Sequence, residues 1–180
     1  NLAAINEFVE GFSACEARAV NVLQAQADDS PLVQAYCAAL QMFAESADAP
    51  GNARPFIEQA LAHAHQASER EQRLVAAVAA WVDGDLPRAI ALHEEQAHLH
   101  PRDLASIKLG QYHLFNRGDS PSMLRLTLQA QPAADVPYLH GMLAFGWEQC
   151  HRLKEAEAAA RRAIHLCRKE PWAHHALAHV

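Results

Sequence analysis

The sequence predicts an all-α protein built from helical hairpins, and two observations support this. Alanine accounts for 38 of the 180 residues, whereas the β-branched residues valine, isoleucine and threonine number 9, 5 and 1. Alanine enters a helix at the lowest cost, and strands favour β-branched side chains. Small residues also recur at a nearly constant interval, at Ala77, Gly110, Ala144 and Ala176. The interval is close to the period of about 34 residues that is typical of arrays of two-helix repeats.

The spacing of small residues within one repeat predicts where its two helices cross. Ala77 is followed by Ala89, and Ala144 is followed by Ala156 after the same number of positions. A side chain larger than alanine at such a crossing would push the two helix axes apart. We therefore expect each pair to bring the first and second helix of one hairpin into close contact.

About ten helices follow from the apolar periodicity and the positions of glycine and proline. Gly84 and Gly118 suit the left-handed conformation that ends a helix, and Pro101 ends the helix before it. The clearest loops are Ser46–Asn52 and Gln131–Pro137. The predicted helices lie at about 2–27, 31–46, 53–68, 70–83, 86–99, 103–117, 121–130, 137–150, 153–168 and 172–180.

This pattern resembles the tetratricopeptide repeat (TPR), well over 70–102 and 137–168, partly over 103–136 and loosely over 31–68. The two ends, with Phe8-Val9-Glu10-Gly11-Phe12, Cys15-Glu16-Ala17-Arg18 and the run from Pro171 to Val180, resemble the tetratricopeptide repeat protein 38-like family. The resemblance implies a right-handed α-α superhelix and no established reaction. We expect one array over 1–180, with irregular hairpins at 1–68 and a truncated repeat at 169–180. The chain is expected to be a fragment of a longer protein.

The net charge and the lack of long apolar runs exclude several classes of partner, and the cysteines indicate the cellular compartment. The net charge is −6 and the pI is near 6.0, whereas binding to nucleic acid or to an anionic membrane needs a basic face. No apolar run is long enough for a membrane span. The four cysteines form no CxxC pair, which favours free thiols in a reducing compartment. We expect a cytoplasmic protein without a cofactor.

The leading hypothesis for function is a scaffold or protein-interaction module rather than an enzyme. The first helices of stacked hairpins line a concave groove that commonly binds a peptide or protein segment. Two alternatives stay open: the aromatic side chains pack against the next hairpin, or the long amino-terminal helix fills the groove. The register of the small residues assigns to the groove Val78, Trp81, Val82, Gln111, Leu114, Phe115, Phe145, Glu148 and Gln149.

A second hypothesis concerns metal chemistry at the carboxyl-terminal end. His175 and His179 are four positions apart, so they share one helical face as two zinc ligands do. A catalytic site needs a third ligand, and no HExxH motif occurs. The alternative function is thus a metal-dependent or small-molecule enzyme in which residues beyond Val180 complete the site. The open end also predicts self-association, since an uncapped repeat exposes an apolar face.

Overall fold

The computed structural model describes residues 1–180, and every regular element in it is helical. The all-α prediction is confirmed. The ten α-helices are α1 Leu2–Ser13, α2 Pro31–Met42, α3 Ala49–His63, α4 Glu69–Val82, α5 Leu86–Leu99, α6 Leu104–Asn116, α7 Ser120–Leu128, α8 Pro137–Gln149, α9 Leu153–Leu166 and α10 Pro171–His179. Short 3-10 helices occupy Ala17–Ala25, Ala64–Gln66 and Gln131–Ala133.

The helices form two compact units, Asn1–His93 and Glu94–Val180. In the first unit α2 packs on α3, and α4 contacts both of these helices. In the second unit α6 packs on α7, α8 on α9, and α10 on both α8 and α9. None of the helices has the length and apolar character required to cross a bilayer. A single superhelical array over the whole chain stays a prediction.

The turns between first and second helices have the predicted backbone. Gly84 and Gly118 have φ values of 79° and 72°, which confirms their left-handed conformation. At both turns the residue after the glycine donates its N–H to a carbonyl five positions back, the hydrogen bond that defines a Schellman ending. The turn after α8 has the same bond from Arg152 to Trp147, but His151 occupies the left-handed position with φ 57°. The three turns therefore recur at the repeat period that the small residues predict.

The predicted single helix over 2–27 is wrong, because the chain reverses after α1. Cys15 has a left-handed φ of 53° and Glu16 is extended, and a 3-10 helix follows from Ala17. Gly11 allows this return: a Cβ built there would lie 2.7 Å from the backbone nitrogen of Ala19. The 3-10 helix thus packs closely against α1. The turn between them, at Cys15 and Glu16, contains neither glycine nor proline.

The predicted loop Ser46–Asn52 is also wrong in part, since α3 begins at Ala49. Pro50 lies in the first turn of α3, where the missing N–H of proline costs no intrahelical hydrogen bond. The proline and glycine of this segment indicate a loop when the sequence is considered alone. They instead accompany the start of a helix.

All four residues of the two predicted crossing pairs, Ala77, Ala89, Ala144 and Ala156, are buried. In the second unit Ala144, Ala160, Ala163, Ala173 and Ala176 are fully buried and form one cluster between α8, α9 and α10. Their short side chains let three helices approach closely, so this cluster fixes the position of α10 on the α8–α9 hairpin.

We expect Ala144→Leu to lower the free energy of unfolding by about 1–3 kcal/mol, because the extra atoms overpack a fully buried crossing. Chemical denaturation of the variant measures this loss. Ala178→Leu on α10 is the matched control, since Ala178 is exposed and a surface substitution stays within about 0.5 kcal/mol. Equal stability of the two variants would contradict the assigned crossing.

Candidate functional site

Most of the predicted groove side chains are inside the fold. Phe115 is 44% exposed, and Glu148 and Gln149 are partly exposed. The other six are buried: Val78, Trp81, Val82, Gln111, Leu114 and Phe145. Gln111 shows the reason, since its amide donates to the hydroxyl of Thr127 at 3.2 Å and to the carbonyl of Met142 at 2.9 Å. Its polar group is satisfied within the protein, and only the three exposed or partly exposed side chains are open to a ligand.

Trp81 has the surroundings of a core residue in the first unit. It is 7% exposed, and its ring meets the edge of Phe43 at a centroid distance of 5.2 Å. Phe43 follows α2, and Trp81 lies in the last turn of α4. The indole therefore ties α4 to the end of α2, which belongs to the preceding hairpin.

In the second unit three first helices bring aromatic rings into one chain of contacts, which we call the aromatic ladder: Phe115 of α6, Phe145 of α8 and Trp172 of α10. The ring centroids lie 5.2 Å apart between Phe115 and Phe145 and 4.6 Å apart between Phe145 and Trp172. Phe145 is buried, Trp172 is partly exposed and Phe115 is exposed. The ladder therefore reaches the surface at both of its ends.

The ladder continues into a cluster of metal-ligand side chains, the His–Glu cluster: Glu148, His175 and His179. The His175 ring lies 5.6 Å from Trp172 and 4.5 Å from His179. Each residue offers one ligand atom, and the three atoms lie within 4.8 Å of one another. The helical spacing places both histidines on one exposed face of α10, and α8 supplies the carboxylate.

Glu148 is held as a carboxylate by its partners. Its Oε1 lies 2.9 Å from Nδ1 of His179, and its Oε2 accepts a hydrogen bond of 2.8 Å from the amide of Gln149. Partial burial acts to raise the pKa of Glu148, but the hydrogen bonds from His179 and Gln149 outweigh it. The pKa therefore lies below its usual value, and the side chain is ionised at neutral pH.

A buried glutamate sets the start of α10, which carries both histidines. Glu170 is 1% exposed, and its carboxylate accepts the backbone N–H of Ala173 at 2.6 Å. Burial raises the pKa of Glu170, against the effect of this hydrogen bond and of the nearby Lys108. Gly141 of α8 leaves the space for the group, because a Cβ there would overlap the Glu170 carboxylate. α10 is thus docked on α8 through a glycine and a capping side chain.

Lys108 stabilises the same region from α6. Its ammonium group lies 6.0 Å from the ring centroid of Trp172, within range of a cation–π interaction. The side chain is 8% exposed, so it is one of the few buried charges of the chain. Lys108 therefore lies close to both Trp172 of the aromatic ladder and the buried Glu170.

The structure brings His175 and His179 together with Glu148, a third side chain of a type that binds metal ions. The sequence predicts Glu148 as a groove residue, and the hypothesis of a metal site assigns the missing ligand to residues beyond Val180. Glu148 precedes His179 by 31 positions, close to one repeat period. Equivalent positions of successive first helices are neighbours in such arrays, and this spacing was the signal that could have identified Glu148.

Comparisons with known proteins add no name to this site. No protein-family model matches the chain, and no solved structure matches its fold. The resemblance to TPR proteins stays a prediction.

Proposed function

We propose that the chain is a protein-interaction module of the TPR type that binds a peptide segment on the second unit. The binding surface is the exposed end of the aromatic ladder, at Phe115 of α6. We further propose that it acts in the cytoplasm, in a scaffolding rather than a catalytic role. Its four cysteines are free thiols, the state that a reducing compartment maintains.

One observation carries this proposal: Phe115 is 44% exposed while its ring is in contact with the buried Phe145. The Phe145 ring holds the Phe115 ring in place, so the Phe115 side chain loses little conformational entropy when a ligand binds. Aromatic side chains are enriched in interfaces, where a few residues carry most of the binding energy. The position on first helices agrees with the groove that the repeat register predicts.

The expected occupant is a short segment with one apolar anchor. Phe115 offers a ring face, Trp172 is partly exposed further along the ladder, and the His–Glu cluster gives that end a polar border. An apolar side chain flanked by polar residues matches this order, since a typical interface has an apolar centre and a polar rim. Self-association through the carboxyl-terminal end stays a separate prediction.

Selection of random peptides displayed on phage against the purified chain tests the proposal. We expect the enriched peptides to lose about 30-fold in affinity for Phe115→Ala, which corresponds to about 2 kcal/mol for a hot-spot residue. Fluorescence anisotropy of the labelled peptides measures this change.

Leu153→Ala is the matched control for this experiment. Leu153 is also 44% exposed, but it lies at the start of α9, a second helix. Its substitution should change the affinity less than twofold. Peptides that depend on Leu153 and not on Phe115, or no enrichment at all, would overturn the proposed surface.

A further inference from the structure

Beyond peptide binding, we propose that Glu148, His175 and His179 bind one zinc ion. The site requires two helices of the second unit, α8 for the carboxylate and α10 for both imidazoles. All three ligands belong to this chain, so three of the four positions of a tetrahedral site are supplied without any other molecule. It is independent of the peptide-binding proposal, because Phe115 contributes no ligand atom.

The distances suit a metal ion of this size. Zinc binds nitrogen and carboxylate oxygen at about 2.0–2.2 Å, which places neighbouring ligand atoms of a tetrahedron about 3.3–3.6 Å apart. Nδ1 of His179 and Oε1 of Glu148 are 2.9 Å apart, and all three ligand atoms lie within 4.8 Å. Both imidazoles are exposed, so small rotations of their side chains bring the atoms to the required spacing. The ion would take the place of the direct contact between His179 and Glu148.

The donor set favours zinc over Mg²⁺, Ca²⁺ and iron(II). Two imidazole nitrogens and one carboxylate oxygen form a borderline set that Mg²⁺ and Ca²⁺, which prefer oxygen ligands alone, bind poorly. Zinc exceeds iron(II) in affinity for such a site by the usual order of divalent metals. Three protein ligands leave one tetrahedral position for water or another ligand, as catalytic zinc sites do.

The surroundings hold the ligands in place. Gln149 donates to the second oxygen of Glu148 at 2.8 Å, the kind of outer contact that orients a ligating carboxylate. α10 is anchored through a neighbouring face, by the fully buried Ala173 and Ala176. The histidine face is therefore fixed toward solvent, which gives the ion a path of entry.

Isothermal titration calorimetry of the untagged, EDTA-treated chain with Zn²⁺ tests the proposal. We expect one ion per chain at low-micromolar or lower Kd, and d–d absorption bands of a low-coordinate complex when Co²⁺ is the probe. His175→Ala and His179→Ala should each weaken Zn²⁺ binding about 100-fold. Glu148→Gln, which keeps the size of the side chain, should weaken it about tenfold or more.

His174→Ala separates this site from general binding of zinc to surface histidines, since the chain has twelve of them. His174 is exposed on the same helix, outside the cluster, with Nε2 2.8 Å from the carbonyl oxygen of Arg168. Its variant should bind Zn²⁺ as the parent does. An equal loss in His174→Ala, several weak ions per chain, or unchanged binding in Glu148→Gln with an intact helical spectrum would overturn the proposal.

Discussion

Trp81→Ala is expected to lower the free energy of unfolding by about 3–5 kcal/mol, the usual cost of emptying the space of a buried aromatic side chain. Trp81 is 7% exposed and packs against Phe43, so its removal leaves a cavity between α2 and α4. Urea denaturation followed by circular dichroism measures the loss.

Phe115→Ala is the control for this substitution, because Phe115 is 44% exposed and the surrounding water fills the vacated space. Its loss of stability should stay below about 1 kcal/mol, since a cavity forms only where the site is closed to water. A small loss for Trp81→Ala would instead return this residue to the groove, where the sequence analysis placed it.

The chain should also lose stability as the pH falls from about 6.5 to about 4, because of His113. Burial lowers the pKa of His113 from 6.5 to about 4, so the folded state holds the imidazole neutral while the unfolded chain takes up a proton. The stabilisation from this residue is complete above pH 6.5 and decreases by about 1.4 kcal/mol per pH unit below it, to a total of about 3 kcal/mol.

Denaturation curves of the parent and of His113→Gln between pH 4 and 7.5 isolate this effect, since glutamine does not titrate. The difference in free energy of unfolding between the two proteins should depend on pH in that interval. Contributions of the carboxylates are common to both proteins and cancel in this difference. His98→Gln, at an exposed position, should parallel the parent. A constant difference for His113→Gln over the whole range would show that His113 is not the source of acid sensitivity.

The repeat register of the sequence predicted the hairpin turns because they depend on local chemistry. Gly84 and Gly118 occupy left-handed positions that glycine adopts without strain, and this requirement is visible in any one repeat. The reversal at Cys15 was not visible. It depends on the approach of Ala19 to Gly11, a contact between segments that no local pattern records.

For the candidate site, too, the sequence predicted the local feature but not the contacts between helices. The spacing of His175 and His179 follows from the geometry of one helix, and the structure keeps both on one face. Glu148 joins them through contact between two first helices, which requires the register of neighbouring hairpins. The burial of Phe145 was equally hidden, because α6 and α8 are apolar on several faces and periodicity does not identify the exposed one.

The docking of Glu170 over Gly141 should make these two positions change together in related sequences. Any side chain at position 141 would occupy the volume of the Glu170 carboxylate. A related sequence that acquires alanine there should carry a shorter capping residue at the position of Glu170, such as aspartate or serine, which also caps helices. Covariation between these two distant positions would then trace the helix contact that orients His175 and His179, even in an alignment from which both histidines had been lost.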